Sequence, residues 1–290
     1  MNQPRKIKRV RKSVLREAIY SILVWLLAIL WFTPIFWMLS TSLKPTTVAV
    51  TENPPQWIPN PLTFENYAAV ARAAGGINVG RAVWNSLIVA IVATVAGLLV
   101  AVPAAYALAR LRFPGRGIIF WTYVAVLAFP PVLFLVPNFY IINQLGLMNR
   151  FAALILPGLG STFGVFMLRQ YMLGIPRELE EAALIDGCSR IRILINIVVP
   201  LIRPALVTLA IMTFLGSWNN FLWPLIVLTS SSKFTLPIAL VRFSAGWGDP
   251  YRGIGSTMAA AFISVAPVLI IFVAFHRYLM RGISLGSIGK

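Results

Sequence analysis

The sequence predicts an all-α integral membrane protein with six transmembrane helices, and three observations carry that expectation. Of its 290 residues, 59% are hydrophobic and only 11% are charged, where a soluble domain carries about 25% charged residues. Six apolar runs are long enough to cross a hydrocarbon core, which takes about 20 helical residues. The basic residues flank those runs instead of gathering into a soluble patch.

Residues 1–19 form a basic N-terminal segment with Arg5, Lys6, Lys8, Arg9, Arg11, Lys12 and Arg16. The first apolar run, residues 20–40, is too long for a cleaved signal core of about 7–15 residues, and no A-x-A site follows it. It reads as span one. Further spans fall near residues 84–109, 117–137, 151–171, 204–228 and 256–275, so that residues 20–275 make one six-span domain. A tail, residues 276–290, completes the chain. Pro103, Pro130, Pro131 and Pro224 are expected to kink spans, beside a pathway or simply for packing.

Between spans one and two, residues 45–63 are rich in proline (Pro45, Pro54, Pro55, Pro59, Pro61) and are expected to be extended rather than helical. Thr63 then caps an amphipathic helix to about Ala74, stopped by Gly75-Gly76. Its Phe64 and Tyr67 suit a membrane surface or packing on the protein. The loop from Thr229 to Gly255 carries Pro237, Trp247, Asp249, Pro250 and Tyr251. Trp247 there is a candidate interfacial anchor, and the loop a candidate partner contact.

Orientation follows from lysine and arginine. With the N-terminus inside, the inner segments hold 18 of the 25 basic residues and the outer segments hold 7. Both termini and the loop between spans four and five are therefore expected in the cytoplasm. That loop, residues 176–204, is the one long polar stretch and holds four of the eight acids: Glu178, Glu180, Glu181 and Asp186. Pro176 suits the first turn of a helix, and the glutamates fall where the helix dipole favours negative charge. Gly187 is a natural helix stop, and Ser189 a cap for a second helix towards Pro200. A loop built so firmly reads as a docking surface.

Glu181-Ala182-Ala183, then Gly187, then Ile197-Val198-Val199-Pro200 resembles the EAA loop of ATP-binding-cassette (ABC) importer permeases. Val199 stands where that pattern has leucine. The resemblance extends through Ser42-Leu43-Lys44-Pro45, Asn85-Ser86, the run from Ala105 to Arg110, Phe113-Pro114-Gly115-Arg116 and Trp218-Asn219-Asn220-Phe221. The glycine-rich ending, residues 281–290, resembles the family too. It narrows to the carbohydrate permeases similar to the smaller membrane subunit of the maltose transporter. It implies the type I importer fold, with Glu178, Glu181, Ala182, Ala183, Asp186, Gly187, Ile197 and Pro200 coupling the membrane domain to an ATPase. It also implies a homologous permease as heterodimer partner, two ATP-binding-cassette subunits that carry ATP and Mg, an external solute-binding protein, and a bacterial or archaeal plasma membrane.

The residues exclude several classes. No GxxxxGK[ST] phosphate loop occurs, and no catalytic constellation, so the chain is expected to be a non-enzymatic subunit that binds no cofactor itself. One histidine, His276, and one cysteine, Cys188, exclude a His/Cys metal cluster and an intrachain disulfide. The net charge of +17 lacks the aromatic-interleaved basic patch of a nucleic-acid binder. No carboxylate lies inside a span, which disfavours ion-coupled carriage and fits an uncharged substrate. Asn85, Trp218, Asn219 and Asn220 are the groups expected nearest a sugar path, with helix-to-helix hydrogen bonding as their alternative role. A permease for glycerol phosphate or a polyol, and an ion-coupled secondary carrier, remain the alternative readings.

Overall fold

Apolar sequence builds helix throughout, and no strand occurs among the described residues. The computed structural model describes residues 4–46, 49, 54, 56–73, 76–246 and 253–284. Two units are distinguished, residues 1–75 with 244–263 and residues 76–243 with 264–290. Trp247, Asp249, Pro250, Tyr251, Pro55, Gly75 and the ending from Leu285 lie outside the described residues.

In the first unit, α1 (Pro4–Ser42) supplies an apolar run from Arg16 to Ser42. Beyond it, Ser42-Leu43-Lys44 turns into a polar knot with α2 (Glu65–Ala71). The Asn66 amide donates to the carbonyls of Ser42 (2.9 Å) and Lys44 (2.7 Å). Its oxygen accepts from the Ser256 hydroxyl at 3.2 Å. The buried Lys44 ammonium lies 4.7 Å from the Trp37 ring centre and donates to the Gln56 carbonyl. A Cβ on Gly255 would fall 2.6 Å from the Asn66 amide, so a side chain there must displace the knot. Phe64 is exposed, whereas the Tyr67 hydroxyl is 2.9 Å from that of Ser42. Thr63 accepts from the Glu65 N–H at 3.2 Å, but the N-cap position of α2 is Phe64 rather than Thr63, and the helix ends at Ala71 rather than Ala74. The segment after Pro45 is not wholly extended: Thr46 and Ala49 are helical, and the Ala49 N–H donates to the Pro45 carbonyl at 3.0 Å.

The second unit begins with α3 (Val79–Arg110), capped by the Asn78 side chain, which accepts from the Arg81 N–H at 2.8 Å. Pro103 leaves this helix continuous. The next spans are broken. Helix α4 (Arg116–Leu127), opened by Gly115 at φ +80°, meets α5 (Pro131–Gln144) at 106°. The expected continuous run over residues 117–137 fails at Pro130-Pro131. Pro131 has no N–H for the helical ladder and holds Pro130 extended, at ψ 131°. Helix α6 (Ala152–Gly158) meets α7 (Thr162–Leu173) at 42°.

After the polar loop, formed by α8 (Glu178–Ile185) and α9 (Arg190–Leu201), α10 (Arg203–Trp218) departs at 81° from α9. It stops at Trp218, and residues 219–221 separate it from α11 (Leu222–Val227), so residues 204–228 are two helices rather than one. The expected loop after Thr229 contains a ten-residue apolar helix, α12 (Leu236–Ala245). Helix α13 (Ile254–Ser284) runs through both units, and its backbone is helical past the expected span end at residue 275.

Three helices among the described residues are long and apolar enough to cross a membrane, and with each of the three bent pairs counted as one span the number is up to six by length and composition. The core of the second unit joins α3 (Ala105, Tyr106, Leu108), α7 (Val165, Leu168, Met172), the loop (Ala183, Ile193, Val198) and α10 (Ala205, Leu209).

Candidate functional site

The polar loop is shaped by its own end signals. Arg177 is the N-cap of α8 and Pro176 precedes it, so the helix starts two residues later than expected. At its C-terminus Gly187 adopts φ +77°. The Cys188 N–H donates to the Ala183 carbonyl (2.9 Å) and the Gly187 N–H to Leu184 (3.1 Å), the two bonds of a Schellman turn. No atom lies within 4 Å of a Cβ built on Gly187, so the backbone angle, not crowding, demands glycine. Ser189 then caps α9, accepting from the Arg192 N–H at 3.3 Å, and a π-helical turn, Leu194–Val198, follows.

These turns divide α8 into two faces. Glu178, Glu181, Ala182 and Asp186 are exposed, and Ile185 is 87% exposed. Glu180 is only 4% exposed and Ala183 8%. Ala183 therefore belongs to the core and not to the outer face beside Ala182. Ile197 is half-buried and packs on that core, while Pro200 is exposed.

Behind the outer face lies a buried ionic lock. Glu180 Oε1 is in ion contact with Arg110 Nε at 2.9 Å, off the line of a straight hydrogen bond. Glu180 Oε2 accepts from the Tyr106 hydroxyl at 3.1 Å. The same guanidinium donates to the carbonyls of Met172 and Ile175, at and just beyond the end of α7, where a cation also complements the helix dipole. Removing two charges from water costs several kcal/mol, and such a pair is tolerable only when further hydrogen bonds satisfy it. Here Tyr106 and the two carbonyls supply them. Sequence reasoning placed Glu180 among the first-turn acids without a role, and missed Arg110 and Tyr106. A signal was present: these two residues are four apart, on one face of α3. In front of the lock a cleft of 460 Å³ is lined by Arg112, Arg177 and Arg190 with Glu181.

The other candidates separate. Asn85, 6% exposed, donates its amide to the carbonyls of Ser232 and Phe234, both at 3.0 Å, while Ser86 accepts from the Leu236 N–H at 2.7 Å. These bonds fasten the segment before α12 to α3. Trp218, 2% exposed, donates to the Ser264 carbonyl at 3.2 Å and stacks on Phe214. Asn219 and Asn220, adjacent in sequence, line different cavities. The first borders 360 Å³ beside Trp218, Pro237 and Ser264. The second borders 440 Å³ beside Asn138 and Trp223. No group of three or more His, Cys, Asp or Glu suited to a metal occurs among the described residues.

Comparison with known proteins bears on the family and the fold. The model of the family described as binding-protein-dependent transport system inner membrane component matches residues 93–285. The chain is similar to the arabinooligosaccharides transport system permease protein AraQ of Bacillus subtilis, 35% identical over 277 residues, covering 95% of this chain and 96% of that one. It is similar to the diacetylchitobiose uptake system permease protein DasC of Streptomyces coelicolor, 33% identical, covering 88% and 91%. Among solved structures, a chain of a bacterial ABC transporter involved in the import of the acidic polysaccharide alginate superposes with a TM-score of 0.81. It is 23% identical, covering 92% of this chain and 98% of that one, a likeness that speaks for the fold.

Proposed function

Because this chain belongs to the family of binding-protein-dependent transport system inner membrane components, we propose that it is a permease subunit of an ATP-driven importer carrying a sugar or oligosaccharide, and that α8 is where an ATPase subunit docks. The relatives' sugar-transport names and the type I permease fold support the first half. The single observation that carries the second half is the division of α8. An exposed face of Glu178, Glu181, Ala182, Ile185 and Asp186 stands on a helix locked from behind by Glu180 and Arg110.

A large apolar side chain held in water, ringed by carboxylates, suits burial in a partner's groove with basic residues at its rim. Small Ala182 allows close approach. Because α8 shares its core with α3, α7 and α10, a push on it is delivered to three spans instead of being absorbed by a loose loop. The remaining parts of this reading are a homologous permease beside this chain, two ATPase subunits holding ATP and Mg, and an external binding protein that delivers the sugar. Both termini and Cys188 face the cytoplasm of a bacterial or archaeal cell, and the chain itself performs no chemistry.

The test uses the complete transporter in proteoliposomes at equal permease levels. Wild type should show ATP hydrolysis stimulated by sugar-loaded binding protein, with arabinotriose, diacetylchitobiose and maltotriose as the panel. Glu181→Lys should weaken ATPase-subunit binding about tenfold or more, and Gly187→Val should abolish stimulation while the protein stays in the membrane. Normal coupling in both variants overturns the docking role of α8. Uptake that follows an ion gradient and survives loss of the ATPase overturns the importer reading.

A further inference from the structure

Three helix interruptions at the far ends of α4, α7 and α10 converge on one cavity. The 440 Å³ space is lined by Pro131 after the break between α4 and α5, by Pro157 and Gly158 before the break between α6 and α7, and by Asn220 in the break between α10 and α11. The helices leading to these breaks from the loop side are 12, 12 and 16 residues long. At 1.5 Å per residue the breaks lie about 18–24 Å along the spans, inside a hydrocarbon core of about 30 Å. Irregular backbone at that depth is tolerated only where it is buried in protein or lines a polar cavity. Discontinuous spans of this kind form substrate sites in other transporters.

The side chains match such a site. Asn138 of α5 and Asn220 both border the cavity, and among the described residues neither amide group hydrogen-bonds to protein. An amide left unpaired inside a membrane is costly unless water or a ligand meets it. Trp223 also lines the space, and its indole N–H donates to the Ala153 carbonyl at 2.8 Å, which fixes the ring and leaves its hydrocarbon surface to the cavity. Two amides and a fastened indole lining one cavity offer hydroxyl partners and an apolar wall together, the pairing a pyranose or furanose ring requires. A lipid chain would use the wall and leave both amides unpaired.

We propose that Asn138, Asn220 and Trp223 form a sugar subsite in the membrane pathway of this chain, the amides pairing with sugar hydroxyls and the indole covering an apolar ring face. This rests on the sugar-importer reading above. The experiment again uses the complete transporter with its binding protein, and takes from the panel a sugar that wild type transports, together with that sugar's monodeoxy analogues. Wild type should discriminate between the sugar and at least one analogue. Asn138→Ala and Asn220→Ala should each lower uptake of the full sugar roughly five- to tenfold, the worth of one hydrogen bond. Each should also erase discrimination at one hydroxyl, while binding-protein-stimulated ATP hydrolysis stays within twofold of wild type. Trp223→Phe should keep more than half of the uptake that Trp223→Ala loses. Undiminished uptake and unchanged deoxy discrimination in both asparagine variants overturn the subsite. Parallel loss of uptake, ATP hydrolysis and complex yield overturns it in favour of a structural role. Wild type that transports no sugar of the panel and shows no sugar-stimulated hydrolysis refutes instead the sugar-importer reading on which it rests.

Discussion

The two polar regions of the second unit use their hydrogen-bonding groups in opposite ways. At the α8 seat, Glu180, Arg110 and Tyr106 are turned inward and committed to one another and to the carbonyls of Met172 and Ile175. At the cavity beside the span breaks, the Asn138 and Asn220 side chains line open space, and their amides have no protein partner among the described residues. The difference separates polar groups that hold a structure from polar groups that a structure holds out. On the docking proposal α8 must be stiff, and the ion contact, the Tyr106 hydroxyl and the two carbonyls hold it in place. A surface that meets a passing solute keeps its polar atoms free.

The most disruptive way to break this contrast is Glu180→Ala, which leaves the Arg110 charge buried without its counter-ion. Loss of one partner from a buried pair costs about 3–5 kcal/mol, a large part of a typical stability of about 5–15 kcal/mol. The purified permease complex should show a strongly lowered melting temperature or fail to assemble. Glu180→Gln, which keeps an acceptor for Tyr106, should fall between. A melting temperature within 2 °C of wild type for Glu180→Ala would mean that the lock does not hold the seat.

A smaller effect is expected at the turn that ends α8. Gly187→Ala meets no neighbouring atom, so its cost is the left-handed backbone alone, about 1–2 kcal/mol. Thermal stability should drop modestly while ATP hydrolysis still responds to sugar-loaded binding protein. A loss equal to that of Gly187→Val would show that the site is crowded by a partner rather than strained in its backbone.

The smallest effect should come from the cavity beside the span breaks. If the Asn220 amide contributes nothing to the fold, Asn220→Ala should change stability by less than about 0.5 kcal/mol, as surface substitutions do. A destabilisation above 1 kcal/mol would place that amide with Glu180 among the structural groups and erase the contrast.

Much of the seat was legible because its signals are local. The first-turn glutamates, the stop at Gly187 and the Ser189 cap act within a few residues, and each appears where the chain suggests. The faces of α8 were less legible. Glu178, Glu180 and Glu181 are chemically alike and fall within four residues, and only the position of α3 decides that Glu180 is buried. Ala183 was grouped with Ala182 for the same reason. Asn138 escaped notice because one asparagine in an apolar run has no local signature. Asn219 and Asn220 were read together, although the chain leaves the helix at Trp218 and the two side chains border separate cavities.

By itself the sequence determined that this chain crosses a membrane through six largely uncharged segments and that its one long polar loop ends α8 in a sharp turn. Those properties depend on hydropathy summed over about 20 residues and on backbone preferences of single positions, both of which are written in the order of residues. Only the tertiary structure decided that the runs near residues 117–137, 151–171 and 204–228 are interrupted, that Asn85 fastens a loop while Asn220 borders a cavity, and that Arg110 meets Glu180. Each of these depends on which helix lies opposite a given side chain. A buried polar group takes its role from the partner across the interface, and that partner lies as far as 149 residues away for Asn85 and 74 for Glu180.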